Sequence, residues 1–185
     1  MDKKREIWQE KTIGSEQIFQ GHIISLQVDT VALPDGKSAK RELVKHPGAA
    51  AVMALLDGKL LVVEQFRKPL ERNQIEIPAG KLDADEDPME AAARELEEET
   101  GYRAKSLKLL SAFYTSPGFA DEKLYLYVAT ELEAGEANPD EDEDLLVEAI
   151  TLEQAESYMA EGRISDAKTI LSVYAWKLYA STGSF

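Results

Sequence analysis

Two apolar runs flank an Asp-Gly pair near the middle of the chain: AAAVMALL ends at Asp57-Gly58, and KLLVVEQF starts just beyond it. This is the strongest short hairpin signal in the sequence, and it places a β-hairpin at the centre of whatever core forms. Other strand signals surround it. Residues 17–33 are rich in Ile and Val and stop at Pro34-Asp35-Gly36, a turn sequence. Residues 38–45 alternate and end before Pro47, whose ring disfavours helix in the preceding residue. Residues 75–77 form a short strand leading into Pro78-Ala79-Gly80, and strands are also predicted at 107–115, 123–129 and 145–150. Pro88 opens a helix that stops at Gly101. Thr151 with Gln154 makes a capping-box pattern for a second helix ending near Gly162, and Asp166 can cap a third that runs through Ala180. Hairpins, helix, strands and helices in this order predict an α+β fold with helices packed on a mixed sheet. The first 45 residues are expected to form a separate small β-sheet region, and residues 46–185 the main domain.

Composition narrows the function. The 185 residues carry 21 basic against 35 acidic side chains, a net charge of −14. Such a surface argues against nucleic acid and against anionic membranes, and it can handle phosphates only with metal cations in between. There is no cysteine, which excludes disulfides, thiolate metal sites and cysteine nucleophiles. His22 and His46 are the sole histidines, too few for a His-rich metal site. The start, MDKKREIWQE, shows no apolar signal core, and no run is long enough to span a bilayer, so a cytoplasmic location is expected. Two motifs fail on inspection. Gly36-Lys37-Ser38 resembles the end of a P-loop, but position 31 is Val31 rather than glycine. Asp83, Asp85 and Asp87 begin like a calcium loop, but Pro88 and Arg94 occupy positions that need glycine and glutamate. Residues 131–144 are acidic with Gly135 and Pro139, and read as a mobile loop able to act as a lid.

The helix opened by Pro88 carries the chemistry. On a helical wheel Met89, Ala93, Leu96 and Thr100 fall within about 60° of one another, a predicted core stripe. Glu95, Glu98 and Glu99 fall on the other side, and Ala91 and Ala92 are expected to leave room for a ligand there. Glu95 repels Glu99 at i,i+4 by roughly 0.2–0.5 kcal/mol on an exposed helix, which Arg94 offsets by pairing with Glu90 or Glu98. A hard divalent cation would turn that repulsion into attraction, because Mg²⁺ prefers a few carboxylates plus substrate phosphates.

The full spacing is G-x5-E-x7-R-E-U-x-E-E-x-G-U, on Gly80, Glu86, Arg94, Glu95, Leu96, Glu98, Glu99, Gly101 and Tyr102. Chance coincidence of its Gly, Glu and Arg positions stays below about 10⁻⁵ over the whole chain. The segment resembles the Nudix box, over residues 80–102. Pro117 in SPGF, fifteen residues past Tyr102, and the segments KRELVKHPGAAAV, VEQFRKP and EIPAGKL resemble the ADP-ribose pyrophosphatase branch of that family.

The resemblance implies an α/β/α sandwich and hydrolysis of ADP-ribose to AMP and ribose 5-phosphate with Mg²⁺ or Mn²⁺, two or more ions per site. It implies Glu95 and Glu99 as the principal metal ligands with the Ala79 carbonyl, Glu98 supporting them, and Glu86 orienting Arg94. In the acidic loop it implies Glu141 as the base and Glu143 as a further metal contact. It implies Arg41 and Arg67 as substrate-binding residues, and His22, with Phe19 as neighbouring candidate, stacked on adenine. Branch members are homodimers with exchanged N-terminal sheets, so Arg41 is expected to serve the partner's site. The alternatives are a hydrolase for another ADP-sugar or a dinucleotide, and a non-catalytic domain that senses ADP-ribose.

Overall fold

The computed structural model describes residues 9–138 and 144–185. The chain divides into two compact units, one running through Pro47 and including Tyr114–Glu122, the other comprising Gly48–Phe113 and Lys123–Phe185.

The first unit is a three-stranded antiparallel sheet of β1 (Lys11–Gln20), β2 (Ser25–Ala32) and β3 (Ser38–Lys45), in that order. The run read as continuous over residues 17–33 is interrupted by a turn, closed by the Gly21 N–H donating to the Ile24 carbonyl at 2.9 Å. A side chain on Gly21 would crowd the Phe19 ring and the Ile24 carbonyl. The Pro34-Asp35-Gly36 turn joins β2 to β3, with Asp35 Oδ1 accepting from the Lys37 N–H at 3.1 Å. Residues 114–122 tie onto the end of β3: the Val44 N–H donates to the Phe119 carbonyl at 2.8 Å, and Asp121 accepts from Lys45 Nζ and the His46 N–H, each at 2.9 Å.

The second unit holds β4 (Ala49–Leu56), β5 (Lys59–Arg67), β6 (Arg72–Glu76), β7 (Ala79–Lys81), α1 (Pro88–Thr100), β8 (Tyr102–Ala104), β9 (Lys108–Tyr114), β10 (Lys123–Ala129), β11 (Leu132–Ala134), β12 (Leu146–Ile150), α2 (Leu152–Ala160) and α3 (Ala167–Thr182). Among the described residues the main sheet has seven strands, ordered β12-β5-β4-β10-β9, with β6 paired to β5 and β7 to β4. It is mixed, because β4 and β10 run parallel while the other described pairings of β4 are antiparallel. Successive side chains of a strand point to opposite faces, and β4 uses both. Ala50, Val52 and Ala54 face a layer containing Ala91, Ala92 and Leu96 of α1. Ala51, Met53 and Leu55 face a layer containing Ala155, Val173 and Trp176 of α2 and α3. The result is an α+β fold with helices packed on a mixed sheet, as the element order predicts, arranged as the α/β/α sandwich that the resemblance implies.

The sequence-based core stripe of α1 is corrected. Met89 is 48% exposed and Ala93 is exposed, whereas Ala91, Ala92, Leu96, Glu99 and Thr100 are buried. Ala91 and Ala92 leave no open approach to the carboxylates; they let the helix lie close on the alanine-rich face of β4. Residues 132–134, read as loop, form β11 against β8.

Candidate active site

β7 and α1 build the site from adjoining pieces of chain. β7 pairs with β4 through Ala49↔Lys81, Ala50↔Gly80 and Ala51↔Ala79, which fixes Ala79 and Gly80 on the rigid centre of the sheet. Asp87 caps α1 by accepting from the Met89 N–H at 2.8 Å, Pro88 takes the first helical turn, and Gly101 ends the helix in the left-handed region at φ 73°. With both ends fixed, the three glutamates project from defined turns.

Arg94 sits among them. Its Nε and Nη2 donate to Glu86 Oε1 and Oε2 at 2.9 and 3.0 Å, and its Nη1 donates to Glu95 Oε1 at 2.7 Å and Glu98 Oε2 at 2.9 Å. Of the two helix partners expected for Arg94, Glu98 is engaged; the stronger contact, to Glu86, comes from the loop before the helix. Glu86 Oε2 also accepts from the Asp83 N–H at 2.9 Å. The bond from Arg94 holds the Glu86 carboxyl below its usual range, against the opposing effect of burial. Reciprocally, the Glu86 bond and then Glu95 and Glu98 push the guanidinium further toward the charged form.

Glu99 is 3% exposed, a burial not expected from the sequence, and its Oε2 accepts from the Ala79 N–H at 3.1 Å. Glu95 lies over Gly80 so closely that a Cβ at that position would fall inside its carboxylate. Glycine in the box is thus a steric requirement of the glutamate one strand-to-helix layer away. Among the described residues no three acidic or histidine side chains converge on a common ion position; Glu86, Glu95 and Glu98 converge on Arg94 instead. Their chemistry suits a hard divalent cation all the same, since Glu95, Glu98, Glu99 and the Ala79 carbonyl offer oxygen alone, and Gly80 leaves the cradle that Glu95 fills.

Arg67, at the end of β5, belongs to the same unit and feels the Glu99 charge. It makes a forked pair with Glu76, both bonds 2.8 Å. Sequence reading missed Glu76; its one signal was an acidic residue between Ile75 and Ile77 in a strand otherwise suited to the core. The structure thus brings together Ala79, Glu86, Arg94, Glu95, Glu98 and Glu99, with Arg67 in electrostatic reach. Arg41 and His22 lie in the first unit. Arg41 on β3 forms a bidentate pair with Glu10, at 2.9 and 2.5 Å, in place of the Glu42 pairing considered from sequence. His22 is exposed in the turn after β1, near Phe19, which is 54% exposed. Glu141 and Glu143 lie outside the described residues.

Comparison with known proteins accords with this geometry. The NUDIX domain matches residues 44–172, and the nucleoside diphosphate sugar hydrolase N-terminal domain matches residues 10–44. The chain is 54% identical over 168 residues to an ADP-ribose pyrophosphatase of Bacillus subtilis (strain 168), covering 89% of this chain and 91% of that protein. It is 52% identical over 171 residues to a methanol dehydrogenase activator of Bacillus methanolicus, covering 91% and 92%. A crystal structure of an ADP compounds hydrolase shares the fold at a TM-score of 0.85, with 18% identity over 97% of this chain and 98% of that one. A box intact in sequence and assembled in space, inside a domain match covering most of the chain, has one meaning: the protein belongs to the Nudix hydrolase family.

Proposed function

We propose that the protein is a Mg²⁺-dependent ADP-ribose pyrophosphatase, cleaving ADP-ribose with water into AMP and ribose 5-phosphate. One observation carries the reading: Glu86, Glu95 and Glu98 are in place around Arg94 and Glu99 is held by the Ala79 N–H, in a chain aligned over nine-tenths of its length with an ADP-ribose pyrophosphatase. Nudix hydrolases work with divalent cations. Here Glu95, Glu99 and the Ala79 carbonyl would hold them, with Glu98 and Glu143 assisting. Once bound, they would supply water activation and neutralisation of charge on the pyrophosphate.

The chain's own residues do the rest. Glu86 fixes Arg94, and Arg94 holds Glu95 and Glu98 in one orientation, so the repulsion along the helix is already offset before substrate arrives. Glu141 takes the proton of the attacking water. Arg67 and Arg41 bind the substrate's anionic groups, Arg41 across a homodimer interface, and His22 or Phe19 stacks on adenine. No described helix is long and apolar enough to cross a membrane.

The test is direct. Incubation with Mg²⁺ and a panel of ADP-ribose, ADP-glucose, diadenosine polyphosphates and NADH should release AMP fastest from ADP-ribose. Faster cleavage of another panel member reassigns the substrate. Glu141→Gln should lower kcat by about 10²–10⁴ with Mg²⁺ affinity near normal; normal turnover would remove Glu141 from the base role. A second reading, regulation of another enzyme through bound nucleotide, is favoured by the likeness to the B. methanolicus activator. It predicts tight ADP-ribose binding with no product from any panel member.

A further inference from the structure

The ends of β5 and β6 meet the start of α3 at a group of charges outside the box, built around one buried carboxylate. Glu76 is 4% exposed, and both its oxygens are engaged. Oε1 accepts from Arg67 Nε and Oε2 from Arg67 Nη2, while Lys168 Nζ donates to the same Oε2. Lys168 also donates to Asp166 Oδ2 at 3.1 Å, and that oxygen accepts from the Thr169 N–H to cap α3. Thr169 Oγ1 in turn accepts from the Ile77 N–H at 2.9 Å. The chain is therefore pinned to α3 on both sides of the peptide after Glu76, immediately before Pro78, Ala79 and Gly80.

Arg67 reaches this group by an indirect course. Glu76 pairs across the sheet with Val63, four positions before Arg67 on β5, and Arg67 itself stands opposite Arg72. At about 3.3 Å per residue the guanidinium must lie back along the sheet to meet Glu76. An arginine at a strand end has many rotamers open to it, and a fork onto a fixed carboxylate removes that freedom in advance. Stability alone gives little reason for this arrangement, since a buried ion pair is commonly replaceable by apolar residues at no loss. What the fork does achieve is one defined place for Arg67, within electrostatic reach of Glu99, with Nη1 outside the fork.

We propose that Glu76 is a positioning residue: it holds Arg67 so that Nη1 meets the substrate pyrophosphate, and Lys168 holds Glu76. The inference rests on the reading of Arg67 as a substrate contact. Lys168 serves the carboxylate rather than the substrate, because its ammonium is already divided between Glu76 and Asp166.

Steady-state kinetics on ADP-ribose with Mg²⁺ test this, using Arg67→Ala, Glu76→Gln and the double variant, each first checked for cooperative unfolding. Arg67→Ala should raise KM about tenfold, Glu76→Gln should raise KM comparably with kcat within about twofold, and the double variant should be no worse than Arg67→Ala. A raised KM in Arg67→Ala with a normal KM in Glu76→Gln overturns the positioning role while leaving Arg67 as a contact. Effects that multiply in the double variant show that Glu76 acts by another route, and also overturn it. An unchanged KM in Arg67→Ala removes Arg67 from the substrate and the inference with it. If Glu76→Gln does not fold, Glu76→Asp keeps the charge for Lys168 but is too short for the fork. It should raise KM severalfold, and a wild-type KM there overturns the proposal.

Discussion

Arg94 does in the protein what a cation does in solution: it gathers like charges that would otherwise separate. Because it engages one oxygen each from Glu95 and Glu98, the box carboxylates are oriented without metal. Glu99 is oriented differently, by the Ala79 N–H, and its burial makes its charge the most dependent on a counter-ion. Glu99→Gln keeps an oxygen for that N–H and removes the charge. Hydrolysis should fall at least about 10²-fold at saturating Mg²⁺, with Tm nearly unchanged; a wild-type rate would take Glu99 out of the metal set. Gly80→Ala probes the other carboxylate. A Cβ there displaces Glu95, so activity should drop sharply, with roughly 1–3 kcal/mol lost from stability in urea unfolding. At this scale the box residues were legible because their spacing is long and particular. Glu76 and Lys168 were not, since isolated charges far apart in the chain leave no local pattern; Asp166 was legible only as the cap of α3.

Elements were legible where ends carry a chemical mark. Pro88 in the first turn and the stop at Gly101 bound α1 as expected, Asp87 adds a cap that the reading had not named, and the Thr151–Gln154 capping box is formed in both directions, at 2.8 and 3.2 Å. The inward face of α1 was misread because a wheel weighted by side-chain size favours Met89, whereas the surface it packs on, Ala50, Val52 and Ala54, selects the smallest residues. β7, β8 and β11, each of three residues, are too short to show a period. The Arg67–Glu76–Lys168 junction between β5, β6 and α3 has a measurable signature in acid. Burial pushes the Glu76 carboxyl up, but Arg67 and Lys168 outweigh it and hold it at about 2, below the ordinary 4.5. A carboxyl depressed in the folded state stabilises above its unfolded value and loses that contribution as pH falls through the folded one. Roughly 3 kcal/mol should therefore disappear between about pH 4.5 and pH 2. In Glu76→Gln the Tm should change less across that window than in wild type; identical acid profiles would contradict the assignment.

For the whole molecule, the first unit presents β1 exposed along its length, with Ile13, Ile18 and Phe19 at least half exposed. An apolar edge strand of this kind, paired only with β2 among the described residues, invites a second chain. Mixing inactive Arg41→Ala subunits with inactive Glu99→Gln subunits should restore part of the activity if Arg41 serves the partner's site; none after verified exchange would place Arg41 elsewhere. The return of residues 114–122 to the first unit was not foreseeable, because no local sequence signal announces a long-range pairing. The parallel pairing of β4 with β10 has a kinetic consequence. Ala49 meets Leu124 only after everything between them, β7 and α1 included, has been enclosed in the connecting loop. Closing so long a loop is entropically slow and contributes contacts of high sequence separation. The sheet on which the box rests thus belongs to the late stages of folding. A nascent chain carries the complete box motif well before β10 can lock it in place, and hydrolytic competence should arrive as one of the last events of refolding.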